Sequence, residues 1–143
     1  MKPLPHRYQV SASGGPAGNI PVQSPGLPDL ETDAPAQFGG SGEHWSPETL
    51  LVAAVANCFV LTFRALSRHA GAEWEDLRVD AEGELDKTES GLRFTHFRLS
   101  VELRAANGAG PEKLEQLLEK SERQCLITNS LTAESEISIA ITA

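Results

Sequence analysis

The chain has 143 residues, a length that suits one domain with a proper core. Its formal net charge of −8, with no basic run as a local exception, sets it against phosphate backbones and excludes nucleic acid as an expected partner. Hydrophobic residues at 40% and charged residues at 22% exclude wholesale disorder.

The N-terminus, MKPLPHRYQV, lacks the continuous apolar region of a signal peptide. The reading is a cytoplasmic protein with no membrane partner, because the apolar run at 50–63 is shorter than the roughly 20 residues a bilayer requires. Two cysteines in a reducing compartment are not expected to form a permanent disulfide. Residues 7–13, RYQVSAS, predict a strand that enters the turn signal GGPAGN. Eight of the nine prolines fall in the first 47 residues, so residues 1–46 form a proline- and glycine-rich arm of short strands and turns rather than helix.

A helix starts at SPET, with Ser46 as N-cap, Pro47 at the first helical position and Glu48 at the positive end of the dipole. It stops at Gly71. Residues 50–61 are apolar nearly all round, so the helix is central and covered on most sides. LRVDAEGELD and LRFTHFRLSVELRA follow as a long β-hairpin. A change of phase between Phe94 and Phe97 predicts a bulge near His96. GPEKLEQLLEKSERQC is a second helix, on which Leu114, Leu117, Leu118 and Cys125 share an inward face. EISIAIT alternates Ile137, Ile139 and Ile141 as a last strand. The order gives an α+β domain spanning residues 1–143, with antiparallel sheets around two core helices.

Cys58, inside LLVAAVANCFVLTF, is either a buried structural thiol or a chemical one. Cys125 faces inward on the other principal helix. Whether the two sulfurs meet at disulfide range is open at this level. No CxxC is present, and no local cluster of His, Cys or acidic residues offers the three or four ligands of a zinc site. No metal or other cofactor is therefore expected. His6, His44, His69 and His96 occupy no Cys–His signature, and a hydrolase of that type is the weaker reading.

SPETLLVAAVANCFVLTF, ERQCLITNSL and the order of elements around them resemble the OsmC/Ohr family of thiol-dependent peroxidases. The paired glycines after the first strand and the FGGSGEHWSPE approach to the helix resemble the Ohr branch. The resemblance implies an intertwined homodimer, with Cys58 attacking the O–O bond of an organic hydroperoxide and Cys125 resolving the sulfenic acid. An external dithiol, typically a lipoylated protein, then reduces the disulfide. Glu48 would act beside the thiols from a second subunit, since ten residues of one helix, about 15 Å, separate it from Cys58. One departure stands out: where the Ohr pattern has an arginine after the paired glycines, this chain has Pro16. Arg7 is the only arginine before Cys58. A milder departure is Leu126, where the family usually has proline. Loss of the arginine motivates an alternative, a non-catalytic protein binding a small hydrophobic ligand on the same scaffold.

Overall fold

Proline and glycine set the character of the N-terminal part. In the computed structural model, which describes residues 1–143, the chain forms two units, Met1–Leu50 and Leu51–Ala143. The first unit holds a small antiparallel sheet of β1 (Ser11–Ala12), β2 (Ile20–Gln23) and β3 (Leu30–Thr32), in that spatial order. β1 covers only two residues of the strand expected over 7–13. A short 3₁₀ turn at Ala36–Phe38 follows, and Asp33 N–H donates to the Trp45 carbonyl at 3.0 Å.

The helix α1 (Pro47–Ala70) begins where the sequence places it. Ser46 Oγ accepts from the Thr49 N–H at 3.1 Å, and Thr49 Oγ1 accepts from the Ser46 N–H at 2.8 Å, a reciprocal cap that satisfies two otherwise orphaned donors. At the other end Gly71 takes φ +65°, which a side chain would resist. Gly71 and Ala72 N–H groups return to the carbonyls of Arg68 and Ser67, closing the helix. Lys113 Nζ adds a 3.0 Å bond to the Ala70 carbonyl.

The second unit builds the core. β4 (Trp74–Thr88) and β5 (Gly91–Ala105) form the long antiparallel hairpin. Glu84 pairs with His96 while Leu85 pairs with Phe94, which leaves Thr95 as the extra residue. The bulge thus sits beside His96, as the change of phase implies. Phe97, Leu99, Val101 and Leu103 point inward and are buried, whereas Arg98, Ser100, Glu102 and Arg104 face solvent. From α1, Val55, Phe59 and Phe63 pack on that inner face, joined by Leu114 and Leu118 of α2 (Pro111–Gln124). Gly83 allows the close approach of α1, since a Cβ there would lie 2.7 Å from Val52 Cγ2.

One strand direction differs from expectation. β6 (Glu134–Thr142) lies beside β5 but runs parallel to it, with Leu99, Val101 and Leu103 opposite Ile137, Ile139 and Ile141. The physical reason is the connection: a chain that leaves β5, crosses through helix and returns to the same sheet arrives in the same direction. The α+β class stands, with a mixed second sheet.

α1 is covered less than its composition demands. Its buried residues, Val55, Phe59, Phe63 and Ser67, form a single stripe at four-residue spacing. Its most apolar stretch has a mean hydropathy of 1.9, yet only 17% of it is buried within the chain, and Leu61 remains 49% exposed. By length and composition the whole helix could cross a membrane, which the shorter run at 50–63 did not suggest. The fully buried stripe on the sheet is the behaviour of a core helix with one side still uncovered.

Candidate active site

Cys58 lies on α1 next to the buried Phe59, and its thiol is half-buried. One turn on, at the i+4 position, Thr62 Oγ1 is 3.8 Å from Cys58 Sγ. Helical geometry alone makes this pair, because both residues share one face.

Cys125 is placed differently from the sequence expectation. It is inward-facing, at 2% exposure, but it is not helical. α2 stops at Gln124, and Cys125 takes an extended conformation (φ −66°, ψ 107°) before the short helix α3 (Leu126–Asn129). Polar residues stabilise this break in place of glycine or proline. Asn129 Nδ2 donates to the Arg123 carbonyl at 2.9 Å, satisfying a group at the end of α2. The Asn129 N–H donates to the Cys125 carbonyl at 2.9 Å, and Thr128 Oγ1 donates to Cys125 Sγ at 3.4 Å.

The break has an electrostatic result. Burial disfavours a thiolate at Cys58, but the Ile127 backbone N–H, the Cys125 thiol, Thr62 and the Leu126 backbone N–H all donate toward its sulfur. Together they hold the Cys58 thiol below its ordinary value. Burial pushes the Cys125 thiol up, and the hydrogen bond and negative charge of Cys58 add to the rise, against the hydroxyl and N–H of Thr128. Both thiols are free, and each shifts the ionisation of the other. Cys58 is therefore the more readily ionised of the two. Environments that push two titrating groups apart assign them different chemical roles.

The groups that favour the Cys58 thiolate are hydrogen-bond donors rather than a cation. Backbone amides at the start of a helical turn carry partial positive charge and favour a nearby anion. The sequence reading found both cysteines but missed this set. Thr62 and Thr128 carry a signal in their spacing of four and three residues from the cysteines. The Leu126 and Ile127 amides carry none, because every non-proline residue has one.

The remaining candidates lie elsewhere. Glu48 is in the first turn of α1, and its Oε1 is buried with no hydrogen-bond partner in this chain. His96 is held on the outer sheet face between Glu84 at 3.1 Å and Glu134 at 3.3 Å, beside Arg98, which bonds Glu82, Glu84 and Glu136. His44 meets Asn19 at 3.2 Å, and His6 Nε2 lies 2.8 Å from the Lys2 carbonyl. His69 is exposed in the last turn of α1.

Comparison with known proteins gives a consistent picture. The model of a family described as OsmC-like protein matches residues 40–140. A protein of Bacillus subtilis, the uncharacterized YmaD, is 28% identical over 108 residues, which covers 73% of this chain and 72% of that one. An OsmC-like protein of unknown function from Vibrio cholerae superposes with a TM-score of 0.87 at 18% identity, over 94% of this chain and 99% of that one. An organic hydroperoxide resistance protein from Elizabethkingia anophelis superposes with a TM-score of 0.78 at 23% identity, over 99% of each chain. At these identities the two superpositions establish a shared fold.

Proposed function

The chain belongs to the OsmC-like protein family, and from that premise we propose that it is a two-cysteine peroxidase acting on organic hydroperoxides. The observation that carries the reading is the Cys58–Cys125 pair, whose surroundings move the Cys58 thiol down and the Cys125 thiol up. In the first step the Cys58 thiolate attacks the O–O bond of the peroxide. Sulfur takes one oxygen as sulfenic acid, and the other departs as an alkoxide that a proton converts to the alcohol. In the second step Cys125 sulfur displaces hydroxide from Cys58. A disulfide forms, and the hydroxide with the Cys125 proton becomes water. An external dithiol, such as a lipoylated protein, restores both thiols and is itself oxidised. This cycle suits the reducing cytoplasm.

The substrate class follows from the surroundings. Leu61 one turn from Cys58, and Leu126 beside Cys125 at 66% exposure, offer apolar surface that favours an alkyl or aryl peroxide over hydrogen peroxide. The uncovered side of α1 is assigned to a second copy of the chain, forming a homodimer. That copy is also the proposed source of a donor for Glu48 Oε1, since a buried carboxylate oxygen without a partner is costly. The alternative, a non-catalytic binder of a hydrophobic ligand, draws its motive from Pro16 in place of the arginine. The amide donors to Cys58 weaken that motive.

Turnover tests the function. With reduced lipoamide regenerated in excess, the protein is expected to convert many equivalents of cumene hydroperoxide to the alcohol, and hydrogen peroxide more slowly. Absence of turnover with any dithiol, together with saturable uptake of a fluorescent fatty acid, would favour the binding protein instead.

A further inference from the structure

The resolving thiol is badly placed for its own ionisation. Cys125 is 2% exposed, and burial together with the hydrogen bond and charge of Cys58 pushes its thiol up. It must nevertheless act as a nucleophile once Cys58 is a sulfenic acid, and the thiolate is the nucleophilic form. One side chain donates to it: Thr128, three residues on, with its Oγ1 at 3.4 Å from Cys125 Sγ. Thr128 lies in α3, part-buried, and the break at Cys125 that brings it to the sulfur is the same one that aims the Leu126 and Ile127 amides at Cys58.

We propose that Thr128 is the positioning residue of the resolving step, its hydroxyl holding Cys125 Sγ beside Cys58 and stabilising the thiolate that closes the disulfide. The inference rests on the peroxidase reading above. Before oxidation, the Thr128 hydroxyl and the anionic Cys58 sulfur act in opposite directions on Cys125. Conversion of Cys58 to a neutral sulfenic acid removes the opposing charge and leaves the hydroxyl. Cys125 then loses its proton, attacks Cys58 sulfur and expels hydroxide, which the released proton neutralises. The sulfenic sulfur is reduced and the thiolate sulfur oxidised by one formal unit each. A hydrogen bond to an ionised sulfur is stronger than one between neutral groups, so the hydroxyl acts most where the charge is greatest.

The experiment compares the full chain with Thr128→Val, which keeps the shape, and Thr128→Ser, which keeps the hydroxyl. Each reduced protein receives one equivalent of cumene hydroperoxide. Loss of the Cys58 thiol, dimedone-trapped sulfenic acid and disulfide are followed separately by rapid quench and mass spectrometry. The expected result is a first step within about twofold of the parent in both variants. Disulfide closure is slowed about tenfold or more in Thr128→Val alone, with a larger dimedone-trapped fraction. Closure at the parent rate in Thr128→Val, or a Thr128→Ser as slow as Thr128→Val, overturns the proposal. If the parent itself does not react with the peroxide, the peroxidase reading has failed. Thr128 is then tested by the pH dependence of Cys125 alkylation in Cys58→Ser protein. The midpoint is expected to rise with valine and return with serine, and an unmoved midpoint overturns the role.

Discussion

Cys58→Ser protein is expected to consume cumene hydroperoxide no faster than buffer, a loss on the order of a thousandfold or more, while remaining folded. The substitution exchanges a half-buried sulfur for a smaller oxygen on a helix whose packing rests on Val55, Phe59 and Phe63, so it leaves the core intact. It removes the more accessible and more readily ionised of the two thiols, since Cys125 is buried and its thiol is pushed up. A serine hydroxyl gains nothing comparable from the Leu126 and Ile127 amides, because it does not ionise near neutral pH. Peroxide consumption over time, with circular dichroism as the check on folding, reads the result. Retained consumption in Cys58→Ser would transfer the attacking role to another group.

Cys125→Ala protein is expected to react once and stop. Its first step proceeds, but the sulfenic acid has no resolving thiol, so dimedone labels Cys58 in nearly every molecule and intramolecular disulfide is absent. A second effect follows from the hydrogen bond that Cys125 donates to Cys58. That bond favours the thiolate, so its removal shifts the Cys58 ionisation upward, toward the ordinary thiol value. The sign is fixed by the chemistry. A lowered pKa means that thiolate, and with it the rate of alkylation, is already present at lower pH. In Cys125→Ala the rise in rate therefore moves to higher pH. The pH profile of iodoacetamide labelling at Cys58, followed by mass spectrometry in both proteins, measures the shift. An unchanged profile would show that the two sulfurs do not share a proton.

The parts of the fold with local determinants were legible in the sequence. Ser46, Pro47 and Gly71 mark the ends of α1 because caps are chemical requirements of a helix terminus. The hairpin and its bulge show in alternating parity, since a strand turns successive residues to opposite faces. The direction of β6 was not legible: Ile137, Ile139 and Ile141 alternate identically in a parallel and an antiparallel pairing. The end of α2 was hidden for a similar reason. Leu114, Leu117, Leu118 and Cys125 fit one helical face, and no glycine or proline interrupts them. The local bonds of Asn129 to Arg123 and of Thr128 to Cys125 hold the chain where the helix stops. At the site, both cysteines and Pro16 in the place of the Ohr pattern's arginine were readable, but the amides that lower the Cys58 thiol were not. Backbone amides acquire a role through where the chain bends, and a one-residue shift of that bend would aim them elsewhere.

The central claim is that hydrogen-bond donors at the α2–α3 break make Cys58 an attacking thiolate without an arginine. A stopped-flow reaction of the fully reduced protein with cumene hydroperoxide, repeated from acid to alkaline pH, tests it most directly. The expected result is fast loss of thiol ending in a disulfide between Cys58 and Cys125, with the rise in rate lying on the acid side of an ordinary thiol's. A rate no faster than that of a free thiol, rising only as an ordinary thiol ionises, would contradict it.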